Sequence, residues 1–204
     1  MSHTSILQFR TANCKNCYKC IRNCPVKAIR VTNQQAQIIE EQCILCEKCI
    51  AVCPQHAKVE HERVIASGKK VIASVHPAYL ARYGWNSIGD LEKYLQKMGF
   101  WKAFDAAQGA AVMKEEYTRL LREQQQKKLV VSSNCPVVVR LIETKYPHLT
   151  EYLAPVYSMK QMHAAYLREQ YPDASIVYIS PCISVMSELK ERQSCADYVI
   201  TFGE

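Results

Sequence analysis

Three absences frame this chain. No stretch approaches the roughly 20 consecutive apolar residues that a membrane-spanning helix needs. The opening residues, Met1 to Arg10, have neither the apolar run nor the small-residue cleavage site of an export signal. Lys and Arg are scattered and form no dense basic tract. The expectation is a cytoplasmic protein without membrane insertion. Glycine and proline are also scarce, 6 and 8 of 204 residues, which excludes collagen-like and low-complexity chains. With 49% hydrophobic and 22% charged residues, the composition is that of a folded globular protein.

What the sequence has in plenty is cysteine: 11 residues. In an unexported protein that number points to metal ligation rather than disulfides. Eight of them form two runs. Cys14, Cys17, Cys20 and Cys24 precede Pro25; Cys43, Cys46, Cys49 and Cys53 precede Pro54. Both runs read C-x2-C-x2-C-x3-C-P, the spacing that wraps a four-iron, four-sulfur cubane. The second run repeats the first after 29 residues, so one structural unit has been duplicated. Structural zinc also takes four cysteines, but it does not account for two identical runs that each end in proline. In two-cluster proteins the last cysteine of each run serves the other cluster. The expected sets are Cys14, Cys17, Cys20 and Cys53 for one cluster, and Cys43, Cys46, Cys49 and Cys24 for the other. Ile21, Val26, Ile29, Ile44, Ile50 and Val52 are expected to pack around them, with a β-hairpin over residues 31–39 between the halves. His56 and His61, near the second run, read as solvated residues.

The formal charge is +7. Each oxidised cluster with its four thiolates contributes about two negative charges, leaving about +3. Nucleic acid is therefore not an expected partner. Two adjacent one-electron centres form a relay, so the expected work is electron transfer. Residues 5–63 resemble a bacterial-type 2x(4Fe–4S) ferredoxin, which implies a small α+β fold.

Past Arg63 the pattern changes. Ser67 to Lys70 reads as a turn. Strands are expected over 71–75, 100–104, 129–132, 175–180 and 198–202. Helices are expected over 87–98, 106–125, 137–146, 159–170 and 184–192. This alternation implies an α/β domain with a mainly parallel sheet. The domain division is 1–65 and 66–204. Cys135 and Cys182 each stand just past the carboxyl end of an apolar run and just before a helix, the rim where open α/β sheets bind ligands. The pattern alone leaves two readings open for them, a shared ligand or two small buried hydrophobes. Cys195 reads as a small core residue. Trp85 and Trp101, with Tyr79, Tyr83 and Tyr94, read as core packing. His163 reads as a packed, hydrogen-bonded histidine.

Ser132-Ser133-Asn134-Cys135-Pro136 resembles the first signature of iron-only (FeFe) hydrogenases, usually Thr-Ser-Cys-Cys-Pro. Ser180-Pro181-Cys182-Ile183-Ser184-Val185 resembles the second, usually Met-Pro-Cys-x-x-Lys. The segments 71–78 and 153–159 and the order of the two domains are similar as well. The resemblance implies that Cys135 and Cys182 are two ligands of a third cubane, joined in that family to a two-iron subsite. The departures are as informative. Asn134 stands where the family has a proton-transferring thiol, and an amide cannot act as that acid or base. Val185 stands where the family has a lysine that pairs with an anionic ligand. The third signature, with two more cysteines, is absent, and two thiolates do not hold a cubane unaided. The expectation is an electron carrier or redox sensor with a degenerate hydrogenase-like domain, working with a redox partner protein or with a missing C-terminal part of a longer chain. The alternative is a hydrogenase completed by a second polypeptide.

Overall fold

The computed structural model describes residues 13–55, 70–84, 87–123, 129–191 and 195–202. His56, His61, Trp85, most of the expected turn at Ser67 to Lys70 and the expected division at 65/66 lie outside those residues.

In the first region, two short helices, α1 (Lys19–Asn23) and α2 (Lys48–Ala51), lie within the two cysteine runs and carry their third cysteines, Cys20 and Cys49. The duplication is visible in the backbone. Asn16 and Tyr18 have φ of 53° and 58°, and their equivalents 29 residues on, Leu45 and Glu47, have 55° and 61°. Four non-glycine residues in the left-handed region carry strain on the order of 1 kcal/mol each. Between the helices, β1 (Ile29–Thr32) pairs antiparallel with β2 (Gln35–Ile38). The turn is Asn33-Gln34, both at positive φ, whose twist suits a two-residue hairpin.

The second region is built on four parallel strands, β3 (Val71–Val75), β4 (Lys102–Asp105), β5 (Ser175–Ser180) and β6 (Tyr198–Thr201). They lie in the order β4-β3-β5-β6. Side chains alternate between the faces of this sheet. Val71, Ala73, Val75, Val177 and Ile179 pack on one face with α3 (Tyr79–Tyr83) and α4 (Ile88–Lys97). Ile72, Ile176 and Tyr178 pack on the other with residues of α5 (Gln108–Glu123), α7 (Met159–Gln170) and α8 (Val185–Glu191). Both faces are thus covered, as parallel sheets require. No helix among the described residues is long and apolar enough to cross a membrane.

Two expectations are corrected. Residues 129–132 do not join the sheet. Val131 makes only one parallel bridge, to Leu153, held by Val131 N–H donating to Tyr152 O (2.7 Å) and Ala154 N–H donating to Val131 O (2.8 Å). Leu129 is 51% exposed, and the partner segment comes straight out of the 3-10 helix Pro147–Tyr152 and runs into Pro155, so no ladder can extend. The strand expected at 100–104 starts at Lys102, because Phe100 is buried and its N–H closes α4 on Leu95 O. The short helix α3 was not expected.

α6 (Pro136–Lys145) starts with proline in its first turn, where no N–H is needed. α5 and α7 cross at Gly109, where an added Cβ would lie 2.3 Å from the carbonyl oxygen of Met159. The two regions are docked on each other. Leu45, from the loop between Cys43 and Cys46, belongs to the same buried cluster as Ile72, Ile176 and Ile183.

Candidate iron-sulfur and thiol site

The loops of the first region present their cysteines around two places. A cavity is lined by Cys14, Cys17, Cys20 and Cys53, with Ala36 and Tyr18. It brings the last cysteine of the second run to the first three of the first run. Cys24, the last of the first run, is buried and packs with Cys49, Cys20 and Cys43. Cys24 and Cys43 lie close enough for a charge on one to oppose a charge on the other. Of the expected aliphatic shell, Ile29 is buried in the first-region core with Ile21, Val26 and Ile50 packed partly buried against it, Ile44 is buried, and Val52 is half-buried outside that cluster.

These surroundings suit anionic iron–sulfur clusters. Backbone that winds through positive φ turns successive N–H groups to one side, a concavity that receives anionic centres. Two such groups already reach sulfur: Ala28 N–H donates to Cys24 Sγ (3.2 Å) and Leu45 N–H to Cys43 Sγ (3.5 Å). Burial pushes the Cys20 and Cys43 thiols up and Cys49 up to about 12. Metal coordination must offset that desolvation and release the protons.

Cys135 caps α6 and is exposed; Cys182 follows β5 and is half-buried. Cys182 stands at the carboxyl rim of the sheet, within electrostatic reach of Cys135. Burial raises the Cys182 thiol, partly offset by its 2.8 Å hydrogen bond with Ser184 Oγ. Cys195 sits partly buried against the core of the sheet.

The two departures from the hydrogenase signatures are structural fixtures. Asn134 Oδ1 accepts from Met159 N–H (3.1 Å) and its backbone carbonyl accepts from Lys160 Nζ (3.1 Å), so this residue ties the Cys135 loop to the start of α7. Val185 is 8% exposed and packs in the core. Lys160 also forms a buried ion pair with Glu188 (2.9 Å), whose carboxylate accepts from Ser158 Oγ (3.2 Å). This pair was not anticipated. Its one trace in the sequence is a lysine in the first turn of a helix, the end that disfavours cations.

His163 is 1% exposed and shares a 2.7 Å hydrogen bond through Nδ1 with Ser74 Oγ. Burial pushes its ring down to about 4, so it stays neutral. Of the aromatic stretch, Tyr79 is core, with burial raising its hydroxyl, while Tyr83 and Tyr94 are exposed.

Two further contacts, also unanticipated, join the cysteine loops to this rim. Arg140, on the helix that Cys135 caps, donates to the backbone carbonyls of Cys43 and, at 2.9 Å, of Glu40. Glu47, between Cys46 and Cys49, accepts the N–H of Ile183, next to Cys182.

Both regions are similar to known proteins. Residues 69–204 match the family of the iron only hydrogenase large subunit, C-terminal domain, and residues 13–57 match the 4Fe-4S dicluster domain. The chain is 27% identical over 188 residues to the NADP-reducing hydrogenase subunit HndD of Solidesulfovibrio fructosivorans, covering 79% of this chain and 32% of that one. It is 50% identical over 44 residues to a subunit of the ion-translocating oxidoreductase complex of Methanosarcina acetivorans, 22% of this chain and 17% of that one. A solved FeFe hydrogenase structure, concerned with oxygen inactivation through its H cluster 2Fe subcluster, superposes with a TM-score of 0.54 at 27% identity, over 65% of this chain and 41% of that one. The chain therefore spans about a third of the length of the hydrogenase subunit it matches.

Proposed function

The chain belongs to the iron-only hydrogenase large-subunit family, and on that premise we propose that it carries electrons or registers redox state without turning over hydrogen by itself. It is an iron–sulfur protein with two 4Fe–4S clusters. Cys14, Cys17, Cys20 and Cys53 hold the first, and Cys43, Cys46, Cys49 and Cys24 the second. The single observation that carries this assignment is the cavity where Cys53 meets the first three cysteines of the other run. Such an exchange keeps the clusters adjacent, and adjacency makes a relay. The ferredoxin-like domain, residues 1–65, supplies that relay, and the hydrogenase-like domain, residues 66–204, docks with what the electrons serve. That is a redox partner protein in the cytoplasm, or the remaining part of a longer chain. The relatives that are subunits of larger assemblies favour such a partnership.

The second reading is a hydrogenase whose missing ligands come from another polypeptide. Its support is that Cys135 lies within electrostatic reach of Cys182, together with the likeness to a hydrogenase subunit. Against it stand Asn134, which holds α7 in place where an acid is needed, and the buried Val185.

Iron and acid-labile sulfide per chain test the proposal, together with hydrogen evolution from reduced viologen. The expected result is about eight irons and no turnover. About twelve irons would assign Cys135 and Cys182 to a third cubane, and robust turnover would overturn the carrier reading.

A further inference from the structure

The two cluster loops are duplicates, yet the α/β layer touches them unequally. The second loop receives the guanidinium of Arg140, which donates to the carbonyls of Cys43 and Glu40 from the second turn of α6. The first loop has its own arginine, Arg22, whose Nη2 donates to Cys17 O at 3.2 Å, but Arg22 and that contact are exposed, whereas Arg140 is half-buried and its bond to Cys43 O is part-buried, the one to Glu40 O being exposed. Water and salt screen an exposed charge and leave a half-buried one at closer to full strength.

A 4Fe–4S cluster gains one negative charge on reduction. Its potential follows the charges and hydrogen bonds around its ligands. A guanidinium donating to the peptide of a ligating cysteine stabilises the reduced form. Glu47, in the same loop, accepts the N–H of Ile183, on the side of the Cys182 rim. Glu40 meets the guanidinium through its backbone carbonyl.

We propose that Arg140 is a tuning residue that raises the potential of the cluster held by Cys43, Cys46, Cys49 and Cys24, and so makes that cluster the electron-accepting neighbour of the rim. This rests on the cluster assignment above. The charge that biases the relay is carried on the helix whose first turn presents Cys135, so the α/β layer supplies the inequality that the duplicated loops lack.

The test is a redox titration of protein loaded with both clusters, followed by EPR, for wild type, Arg140→Gln and Arg140→Lys. Cys17→Ser, which alters the first cluster only, assigns the signals. At the wild-type midpoint of the second cluster, Arg140→Gln is expected to lower its reduced-to-oxidised ratio by about threefold to tenfold. Arg140→Lys keeps the charge but loses the two-point fork, and is expected to lower the ratio by about twofold. The first cluster's ratio should stay where it is in both. Eight irons with an unmoved second cluster, or with both clusters shifting together, would overturn the proposal while leaving the cluster assignment intact. Fewer than eight irons in the wild type would sink the assignment instead. Should Arg140→Gln lose its second cluster, Arg140→Met, which also removes the charge, decides: a selective fall supports the proposal and an unchanged ratio overturns it.

Discussion

In the sheet region the strand Val71–Val75 is buried at every position, and clusters of buried residues line both of its faces. Among the described residues of the cysteine region, the buried apolar side chains are Ala28, Ile29, Ile44 and Leu45, with Cys24 and Cys49. The sheet region draws stability from apolar area, at about 25 cal/mol per Å². The cysteine region has too little of it and holds several residues in strained backbone. One chain therefore contains a part that folds by burial and a part whose order comes from ligation.

The largest effect should come from stripping iron from the loaded protein. Structural metal sites contribute on the order of 10 kcal/mol. Hydrogen exchange in residues 13–55 is expected to lose its protection while β3 and β5 keep theirs. Equal loss in both regions would break the contrast.

Within the sheet region, damage should arrive in smaller portions. Lys160→Met leaves Glu188 charged, buried and without its ion-pair partner, at a cost of about 3–5 kcal/mol. Lys160→Met with Glu188→Leu should recover most of that in urea unfolding, and a double variant no better than the single would show the pair is not the cause. Gly109→Ala places a methyl against the Met159 carbonyl, which should cost about 1–3 kcal/mol and lower the thermal midpoint without changing iron content.

The smallest effect is a pH dependence. His163 is held at about 4 by burial, against an ordinary value of about 6.5. As pH falls, the unfolded chain takes up the proton first. The contribution is complete above about 6.5 and is lost between 6.5 and 4. From pH 7 to 5 the wild type should lose about 2 kcal/mol more than His163→Gln. Parallel urea curves for the two proteins at both pH values would refute this.

The same contrast explains what could be read from the sequence. Cysteine spacing is a local signal, and it led to the two runs; of the two later thiols, Cys182 does follow a strand of the sheet, while Cys135 follows only an isolated bridge and caps α6. Strands buried on both faces, such as 71–75 and 175–180, announce themselves as mainly apolar runs broken only by serine. Residues 129–132 have the same look, but a strand also needs a partner, and Leu153 runs into Pro155 before a ladder can form. The helix Tyr79–Tyr83 is too short for a periodic pattern and is set by Gly84 at φ 66°. Arg140 on Cys43 and Glu47 on Ile183 join residues about a hundred positions apart or more, and no local pattern encodes such pairs.

The place of Leu45 has a consequence for how the cell disposes of a damaged copy. Its side chain lies in the core of the sheet, yet its position depends on the loop that Cys43 and Cys46 frame. Loss of that cluster would remove what frames the loop, and with it the support for Leu45 beside Ile72 and Ile183. The apolar seam so uncovered would be the kind of surface that chaperones and degradative proteases bind.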